Sequence, residues 1–494
     1  MIWCLRPPPA PLTIPAHLGY YCSEPGFELL GGCVSNDPIF ASVTLQRKVA
    51  KSLKTIEAIL SVNDPQICLL LLRYTAGMTK LSYLWRTMNP QVLMSSIGLV
   101  ENTIYDALSF IVTNHRPGFG IPQLHLASLP LHLGGLAIPL PSDYQKFAHL
   151  AAQLQTEKLQ YTMFGMLPPL DTALVGNFYE ALTPQCQVTW HNTAFPLGQP
   201  QKVLAKLYYE SKRHHMLDNG LHGLKTSIKH AAAQSLLLAS LSLDSSSKEI
   251  VNLSHQWLLA LPNTGLHMTM LAAEYRAVLC MRLLIPLRSS SIQCGHCKGI
   301  MDNFGYHALS CNGPDNRRIL RHDTVVQAIK DLAVDFHAQV NAPVQCIGVS
   351  TYANQSLRPA DILIKDKDNQ NICIDVTIVS PLSISKEFQE AGLVVGALVL
   401  QASRNKTKKH QESCANQDLL FTPFAADVCG IITAQASSLL KKFASNLAER
   451  MCRPYSYAMS LCRRRISFAI QHGVARQLLN ALEFEASPLV EVFT

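Results

Sequence analysis

Three cysteines and one histidine between Cys294 and Cys311 are arranged as two close pairs. Cys294 and Cys297 are separated by two residues, nine residues then lead to His307, and three more lead to Cys311. A divalent metal needs each pair on a tight turn, so that four side chains can converge on a tetrahedral centre. The pattern therefore predicts a structural zinc site. Two alternatives remain open in the sequence, namely His296 as the fourth ligand and a chance grouping among fifteen cysteines.

Two aspartates lie at equal distances from the centre of a predicted β-hairpin. The runs 362–364 and 372–379 are apolar and rich in β-branched residues, and the polar residues 365–371 separate them. Asp361 and Asp375 are then cross-strand neighbours, with Cβ atoms roughly 4.5–5.5 Å apart. Facing carboxylates repel unless a hard cation, Mg²⁺ or Mn²⁺, bridges them. The alternative is a pair of solvated carboxylates, but Asp375 interrupts an otherwise apolar strand.

The elements around these residues follow from apolar spacing. Residues 324–336 carry apolar side chains at helical intervals, and Asp323 or Thr324 would cap the start of that helix. Residues 387–403 read as a helix rich in small residues, and 421–424 as an apolar strand or loop. Two amphipathic helices are expected at 430–450 and 460–483. These elements would surround the aspartates.

Positive charge is concentrated in two short runs. The formal net charge of the chain is only +8, but residues 404–410 and 463–465 are strongly basic. Such runs can contact the phosphates of a nucleic acid. The alternative for each run is a solvated helix face.

Length and composition restrict the class of protein. A chain of 494 residues with 48% hydrophobic residues can form two to four domains with full cores. The cysteines are odd in number and scattered, and no signal peptide or membrane-spanning run is evident, so we expect an intracellular protein with reduced thiols and no membrane partner. We predict an α+β fold that is predominantly helical. Its predicted regions are an irregular proline-rich start at 1–25, helical regions at 26–185 and 186–290, a zinc knuckle at 291–315, and a final domain at 316–494.

The series of motifs in the second half resembles one known family. The zinc pattern, Arg321-His322-Asp323, Arg358-Pro-Ala-Asp361 and Asp375-Val-Thr377 together resemble the C-terminal region of non-LTR retrotransposon polyproteins that carry a restriction-enzyme-like endonuclease. Motifs in the first half, at 29–32, 63–66, 71–74, 83–87 and 129–136, are similar to the thumb and connector that follow the polymerase palm in those proteins. The Phe/Tyr-x-Asp-Asp box of a reverse transcriptase does not occur in this sequence, so we do not expect a complete polymerase.

The resemblance implies a fold and a set of residue roles. It implies a small PD-(D/E)xK-like α/β nuclease domain, in which Asp361 and Asp375 bind Mg²⁺ or Mn²⁺. The catalytic lysine would be Lys409 or, as second choice, Lys406, although Thr377 stands at the usual lysine position and His410 where tyrosine is usual. Residues expected to bind nucleic acid, from the resemblance and the local charge, are Arg321, His322, Arg358, Lys408, Arg463, Arg464 and Arg465.

The expected function is a metal-dependent endonuclease that nicks target DNA for retrotransposition, with zinc assisting nucleic-acid binding. Its partners would be the DNA target and the element RNA, and the family resemblance places it in the nucleus. Two alternatives remain: a catalytically decayed nucleic-acid-binding remnant of the element, and a degenerate reading frame without a selected activity.

Overall fold

The architecture is taken from a computed structural model. It describes residues 25–35, 37–165, 171–192, 198–218, 228–243, 248–311, 313, 318–334, 339–340, 360–366, 369–382 and 394–482. Nearly all of the predicted irregular start at 1–25 lies outside these residues. Arg358 also lies outside them. Helices hold most of the described residues, and a small mixed sheet completes an α+β fold, as predicted.

The described helices and strands are numbered in chain order. The helices are α1 Pro38–Leu60, α2 Pro65–Thr75, α3 Met78–Thr87, α4 Pro90–Thr113, α5 Ile121–Ser128, α6 Pro141–Gln145, α7 Ala148–Phe164, α8 Thr172–Glu180, α9 Pro184–His191, α10 Pro200–Asp218, α11 Ile228–Leu241, α12 Ala272–Arg282, α13 Tyr306–Ser310, α14 Arg318–Leu332, α15 Ala397–Ala415, α16 Ala434–Met451 and α17 Tyr455–Leu482. The strands are β1 Gly26–Leu29, β2 Gly32–Ser35, β3 Ile250–Asn252, β4 Ile292–Gln293, β5 Ile300–Met301, β6 Gln339–Val340, β7 Ile362–Lys365, β8 Asn371–Val379, β9 Leu419–Asp427 and β10 Ile431–Thr433. No helix in this part of the chain has both the length and the apolar character of a membrane span.

The described residues divide into two compact units. The first lies within 1–63, 71–110 and 137–222, and the second within 64–70, 111–136 and 223–494. The helical regions predicted for 26–185 and 186–290 each contribute residues to both units. The predicted knuckle and the final domain lie within the second unit, which therefore contains every candidate site residue that the structure describes.

A six-stranded mixed sheet forms the centre of the second unit. Its strand order is β3-β10-β9-β8-β7-β6. β7 and β8 form the predicted antiparallel hairpin, whereas β8 and β9 are parallel. Parallel neighbours need a crossover connection, and α15 lies in the chain between β8 and β9. The connection thus sets one long helix beside the two central strands.

The two faces of β8 have different surroundings. Ile372, Ile374 and Val376 join a large apolar core with residues of α14, α16 and α17. The alternate residue Cys373 faces the other way and packs with Cys414 of α15 and Phe421 of β9. Because side chains alternate along a strand, Asp375 shares the face of Cys373. The charged residue therefore lies on the side of the sheet that carries α15.

The C-terminal helices form where apolar spacing predicts them. Helices α16 and α17 occupy 434–451 and 455–482, against the expected 430–450 and 460–483. Thr433 caps α16, since its Oγ1 accepts a hydrogen bond from the Ala436 amide at 3.3 Å. The residues 421–424, expected as a strand or loop, lie within β9. Local patterning was sufficient for these elements because each buries one apolar stripe.

Two other helix boundaries correct the sequence interpretation. Helix α14 begins at Arg318 and not near Thr324, whose Oγ1 bonds the Leu320 carbonyl inside the helix instead of capping it. The helix expected at 387–403 is observed at 397–415, and residues 383–393 lie outside the described part of the chain. The small residues suggested the earlier start, but the helix extends through the basic run, in which His410 is buried and Lys406 contacts Asp375.

Arg321 is a structural residue and not an exposed nucleic-acid contact, which corrects that prediction. Only 2% of it is exposed. Its guanidinium donates hydrogen bonds to the Leu309 carbonyl at 3.3 Å, to Gln477 Oε1 at 2.7 Å and to the Ile378 carbonyl at 3.0 Å. Burial lowers the pKa of Arg321 to about 10, so the side chain remains charged at neutral pH. It connects the end of α13, helix α17 and strand β8.

We predict that Arg321→Ala lowers the free energy of unfolding by about 2–4 kcal/mol, because three buried acceptors lose a charged donor. Lys330→Ala, at a half-buried position of the same helix, serves as the control and should change stability by less than about 0.5 kcal/mol. Thermal or urea unfolding measures both values. Equal stability of the two variants, with DNA affinity lost only in Arg321→Ala, would restore the nucleic-acid assignment.

Candidate functional site

The four predicted zinc ligands lie together. The β4–β5 hairpin carries Cys294 and Cys297 at its turn, the short helix α13 carries His307, and Cys311 directly follows that helix. One ligand atom from each residue lies within 4.8 Å of the others. Among the described residues, the group contains His307 and does not contain His296. His307, and not His296, is therefore the candidate for the fourth ligand.

The distances inside the cluster suit a tetrahedral metal ion. Cys311 Sγ lies 3.8 Å from Cys294 Sγ and 3.7 Å from Cys297 Sγ, and His307 Nε2 lies 3.2 Å from Cys297 Sγ. Four bonds of about 2.3 Å at tetrahedral angles separate two sulfur ligands by about 3.8 Å. The cluster could therefore hold a metal ion, and its ligands are compatible with zinc.

Short-range contacts fix the ligand positions. The Asp302 carboxylate accepts hydrogen bonds from the backbone amides of Phe304, Tyr306 and His307 at 2.7–3.1 Å, which orients the start of α13. Gly299 packs closely on the ligands, because a Cβ atom there would lie 3.0 Å from His307 Cε1 and 3.2 Å from Cys297 Sγ, so a larger residue would have to shift them by a few tenths of an ångström. These contacts hold the hairpin turn and the helix against each other.

The thiols of the cluster differ in acidity. Burial acts to raise the pKa of Cys294, but hydrogen bonds from the backbone of His296 and Cys297 lower it to about 6. Burial and the neighbouring thiols raise the pKa of Cys311 to about 11. A thiolate is the form that binds a metal. Cys294 is therefore mostly in its metal-binding form at neutral pH, whereas Cys311 loses its proton only when a cation lies beside it.

The two predicted aspartates face each other at the end of the β7–β8 hairpin. Ile362 is paired with Ile374, and one step further the Asp361 amide donates a hydrogen bond to the Ile374 carbonyl at 2.9 Å. The strands pair, and the register sets Asp361 opposite Asp375. The Val376 amide also donates to Asp361 Oδ2 at 2.7 Å. The predicted hairpin is therefore present, with both aspartates at its open end, and their sharing of one cation stays a prediction.

Helix α15 supplies two side chains to Asp375. Lys406 Nζ donates a hydrogen bond to Asp375 Oδ1 at 3.1 Å and lies 2.9 Å from Oδ2. His410, one turn later, is 2% exposed, and its Nε2 lies 3.9 Å from Asp375 Oδ2. The His410 ring packs on Phe421 with ring centroids 5.6 Å apart. Lys406, His410 and Cys414 recur at intervals of four residues, which places them on the helix face beside the sheet.

His322 completes the group from the other side. Its Nε2 lies 3.0 Å from Asp361 Oδ2, and its Nδ1 lies 3.0 Å from Asp323 Oδ1. Burial acts to lower the pKa of His322, but the two carboxylates raise it to about 9, so the imidazole is protonated at neutral pH. His322, expected only as a nucleic-acid contact, is therefore part of the carboxylate site.

The two carboxylates have opposite electrostatic environments. Burial, opposed by Lys406 and reinforced by Asp361, raises the pKa of Asp375 to about 6. For Asp361 the effect of burial is exceeded by the hydrogen bond and charge of His322 and by the Val376 amide, so its pKa is lowered. Burial and then the charges of Lys409 and Lys406 lower the pKa of His410 to about 4, which keeps this imidazole neutral.

The three predicted lysines of α15 have different surroundings. Of the three predicted lysines, all of them described, only Lys406 contacts Asp361 or Asp375, whereas Lys408 and Lys409 are exposed on α15. This corrects the preference for Lys409, because the helix face beside the sheet carries residues 406 and 410. The signal for His410 was present in the sequence as its four-residue spacing from Lys406. It was missed because the helix was expected to end at 403.

The arginines of α17 also differ from one another. Arg465 forms an ion pair with Asp331 of α14, which gives it a structural partner. Arg463 and Arg464 are half-buried, and the Nε atom of each is buried without a hydrogen bond among the described residues. Arg463 and Arg464 therefore stay predicted nucleic-acid contacts.

Comparisons with known proteins do not extend these observations. Neither a family model nor a curated protein matches the chain.

We predict that the full-length protein binds one zinc ion at the cysteine-histidine cluster. Changing both Cys294 and Cys297 to serine should abolish zinc retention, because two of the four ligands lose their thiolates. Cys452→Ser is the matched control, since Cys452 is an exposed cysteine outside the cluster. Elemental analysis of the purified proteins measures the metal content. A folded wild-type protein without zinc would contradict the assignment.

Because the pKa of Asp375 is raised in the folded protein, we predict that the variant Asp375→Asn is more stable than the wild type. The folded-state pKa of about 6 exceeds the value of about 3.9 for an unfolded chain, so stability is lost as the pH rises through about 6. Without added divalent cation, the variant should melt a few degrees above wild type at about pH 7.5, and this difference should shrink near pH 4. A lower melting temperature at about pH 7.5 would mean that the ion pair with Lys406 outweighs burial.

Proposed function

We propose that the chain is a metal-dependent endonuclease that cuts DNA by phosphodiester hydrolysis. The observation that carries the proposal is the group formed by Asp361, Asp375 and Lys406. Two carboxylates that face each other, with one lysine beside them, can bind a hard cation and a phosphate together. The zinc cluster supports the proposal as a structural element of the same unit.

The two carboxylates fit a Mg²⁺ or Mn²⁺ ion. Asp375 Oδ2 is buried and receives no hydrogen bond among the described residues, because Lys406 approaches it outside hydrogen-bond geometry. The Lys406 ammonium offsets part of the cost of burying this oxygen, and a divalent cation would offset more of it. When bound, the ion would polarise the scissile phosphate and lower the pKa of the attacking water. Asp361 and Asp375 would hold it and orient the phosphate.

Lys406 has two roles in this proposal. Before a cation binds, its ammonium group partly neutralises Asp375. Once the carboxylate is shared with a cation, the same ammonium is available to a phosphate oxygen that gains charge in the transition state. Lys406 is 34% exposed in its side chain, so the ammonium group can reach a bound substrate without unfolding of the helix.

Affinity for DNA would come from groups outside the carboxylate site. Lys408 and Lys409 are exposed on α15, and Arg463 and Arg464 lie on α17. Contacts between such groups and phosphates supply most of the affinity for DNA and make it dependent on salt. The motif series and this site together support an origin in a non-LTR retrotransposon polyprotein, with target DNA and element RNA as partners and the nucleus as the place of action.

A second candidate function is a nucleic-acid-binding remnant without nuclease activity. One observation favours it: His322 is bonded to Asp361, and Lys406 to Asp375, so each carboxylate already has a cationic partner. In a decayed site these pairs would be permanent. In an active site a cation competes with them successfully. Metal binding and DNA cleavage therefore distinguish the two functions.

We predict that the wild-type protein nicks supercoiled plasmid DNA when Mg²⁺ or Mn²⁺ is added. Asp361→Asn and Asp375→Asn should abolish nicking, and Lys406→Ala should slow it by about 100-fold or more, because each removes a charge next to the reacting phosphate. Lys409→Ala is the matched control on the same helix and should change the rate by less than about threefold, through general phosphate attraction alone.

Binding measured on the same DNA completes the test. The aspartate variants should retain their DNA affinity. Wild-type protein that binds the plasmid but does not nick it would favour the remnant over the nuclease. Equal losses in Lys406→Ala and Lys409→Ala would remove the catalytic role of Lys406.

A further inference from the structure

Four basic side chains from separate parts of the chain lie together in the second unit, outside the zinc cluster and the carboxylate pair. They are His132, His255, Arg282 and Arg463. The first two lie in the segments 131–135 and 253–257, and the arginines lie on α12 and α17. The proposed reaction does not use this group.

Arg282 fixes the two segments that carry the histidines. It is buried, and its guanidinium donates hydrogen bonds to the carbonyls of Leu131 at 2.8 Å and of Ser254 at 3.0 Å. His132 directly follows the first of these residues in the chain, and His255 directly follows the second. One buried arginine therefore brings the two histidines near each other.

Helix α17 meets the second of these segments and adds Arg463. Ser467 Oγ donates a hydrogen bond to the Leu253 carbonyl at 2.7 Å and accepts one from the Trp257 amide at 3.0 Å. Arg463 lies one helical turn before Ser467, on the same side of the helix. Helix α17 thus brings its guanidinium to the segment that carries His255.

The pKa of His255 shows that these groups are close enough to interact. It is lowered to about 4, first by burial and then by the charges of its three basic neighbours, so the imidazole is neutral at neutral pH. Gln256 Nε2 donates a hydrogen bond to His255 Nε2 at 2.9 Å, which leaves the proton of the neutral ring on Nδ1. In the described part of the chain, neither His255 Nδ1 nor Arg463 Nε has a hydrogen bond, although both atoms are buried.

These observations describe a site that lacks an anion. His255 Nδ1 and Arg463 Nε are donors whose burial is unfavourable until an acceptor reaches them. Positive groups that converge also repel one another, and an anion between them removes that repulsion. Phosphate suits such a site, because its oxygens accept several hydrogen bonds and match the planar guanidinium. His132 is exposed, so the group is open to solvent on that side.

We propose that His132, His255 and Arg463 bind one backbone phosphate of a nucleic acid, while Arg282 holds the histidine segments in place. The inference rests on the proposed function, which supplies the nucleic acid as the partner. Binding would move the Arg463 side chain toward the phosphate and give its Nε and His255 Nδ1 an acceptor. A phosphate contact positions the nucleic acid on the protein without reading its sequence.

The test is a double-mutant cycle on the full-length, zinc-loaded protein. Anisotropy of a labelled oligonucleotide duplex measures binding without added Mg²⁺ or Mn²⁺. His132→Ala and Arg463→Ala should each weaken binding about fivefold, as expected for a lost phosphate contact. Because both residues bind the same phosphate, the double variant should be less than about tenfold weaker than wild type, whereas independent contacts would give about 25-fold.

Arg464 provides the matched control for the cycle. It is the next residue on α17 and is also half-buried, but it is not among the basic neighbours that lower the pKa of His255. The losses in His132→Ala and Arg464→Ala should therefore multiply in their double variant, whatever the size of each.

NMR of isotope-labelled histidine rings tests the contact directly. The oligonucleotide should shift the ring signals of His132 and His255 in the wild type and in Arg464→Ala, but much less in Arg463→Ala. Inorganic phosphate at the same phosphate concentration should give weaker shifts, because it lacks the neighbouring contacts that hold a nucleic acid in place.

Three results would overturn the inference. They are losses that multiply in the double variant of His132 and Arg463, histidine signals that do not move when the oligonucleotide binds, and inorganic phosphate that binds as tightly as the oligonucleotide. The last result would assign the site to a free anion.

Plasmid nicking tests the proposed function separately. A protein that shows the coupling between His132 and Arg463 but does not nick DNA has this phosphate site and is not a nuclease. A protein that nicks DNA without the coupling is a nuclease that lacks the phosphate site.

Discussion

The antiparallel register of β7 and β8 is the constraint on which the site depends. Pairing of Ile362 with Ile374 leaves Asp361 and Asp375 opposite each other at the open end of the hairpin. A shift of one residue would turn Asp375 into the apolar core, where a carboxylate has no partner. Register is therefore fixed by the buried residues Ile372, Ile374 and Val376, which must face the core. The same apolar contacts that stabilise the sheet bring two like charges together.

The repulsion between the two carboxylates is offset by cationic side chains from the helices around the hairpin. α15 brings Lys406 to Asp375, and α14 brings His322 to Asp361, so each carboxylate meets a cation from a different helix. Arg321, next to His322 in the chain, ties α14 to the end of α13, to α17 and to β8. The zinc cluster, which precedes α13 and includes its His307, is thereby connected to the carboxylate site through one buried guanidinium. Loss of the metal cluster should therefore also disturb the position of α14.

The sequence predicted the parts of this site that depend on local spacing. The cysteine-histidine ligands, the hairpin and the opposed aspartates all follow from distances along the chain of a few to twenty residues. The burial of Arg321 and the preference for Lys406 over Lys409 did not follow, because they depend on which face of a helix meets the sheet. Arginine and lysine in a basic run look alike in sequence, whether they pair with a buried carboxylate or extend into solvent. The shifted boundary of α15 hid the face that carries Lys406 and His410, and α14 began before the residue that was expected to cap it.

The central claim is that Asp361 and Asp375 form one cation site, and diffraction measures this most directly. Crystals of the zinc-loaded protein soaked in Mn²⁺ should show an anomalous peak within about 2.3 Å of one carboxylate oxygen from each aspartate, as shared coordination requires. A second peak should mark zinc at the cysteine-histidine cluster. Anomalous density at the zinc cluster alone, with Asp361 still bonded to His322 and Asp375 to Lys406, would contradict the account.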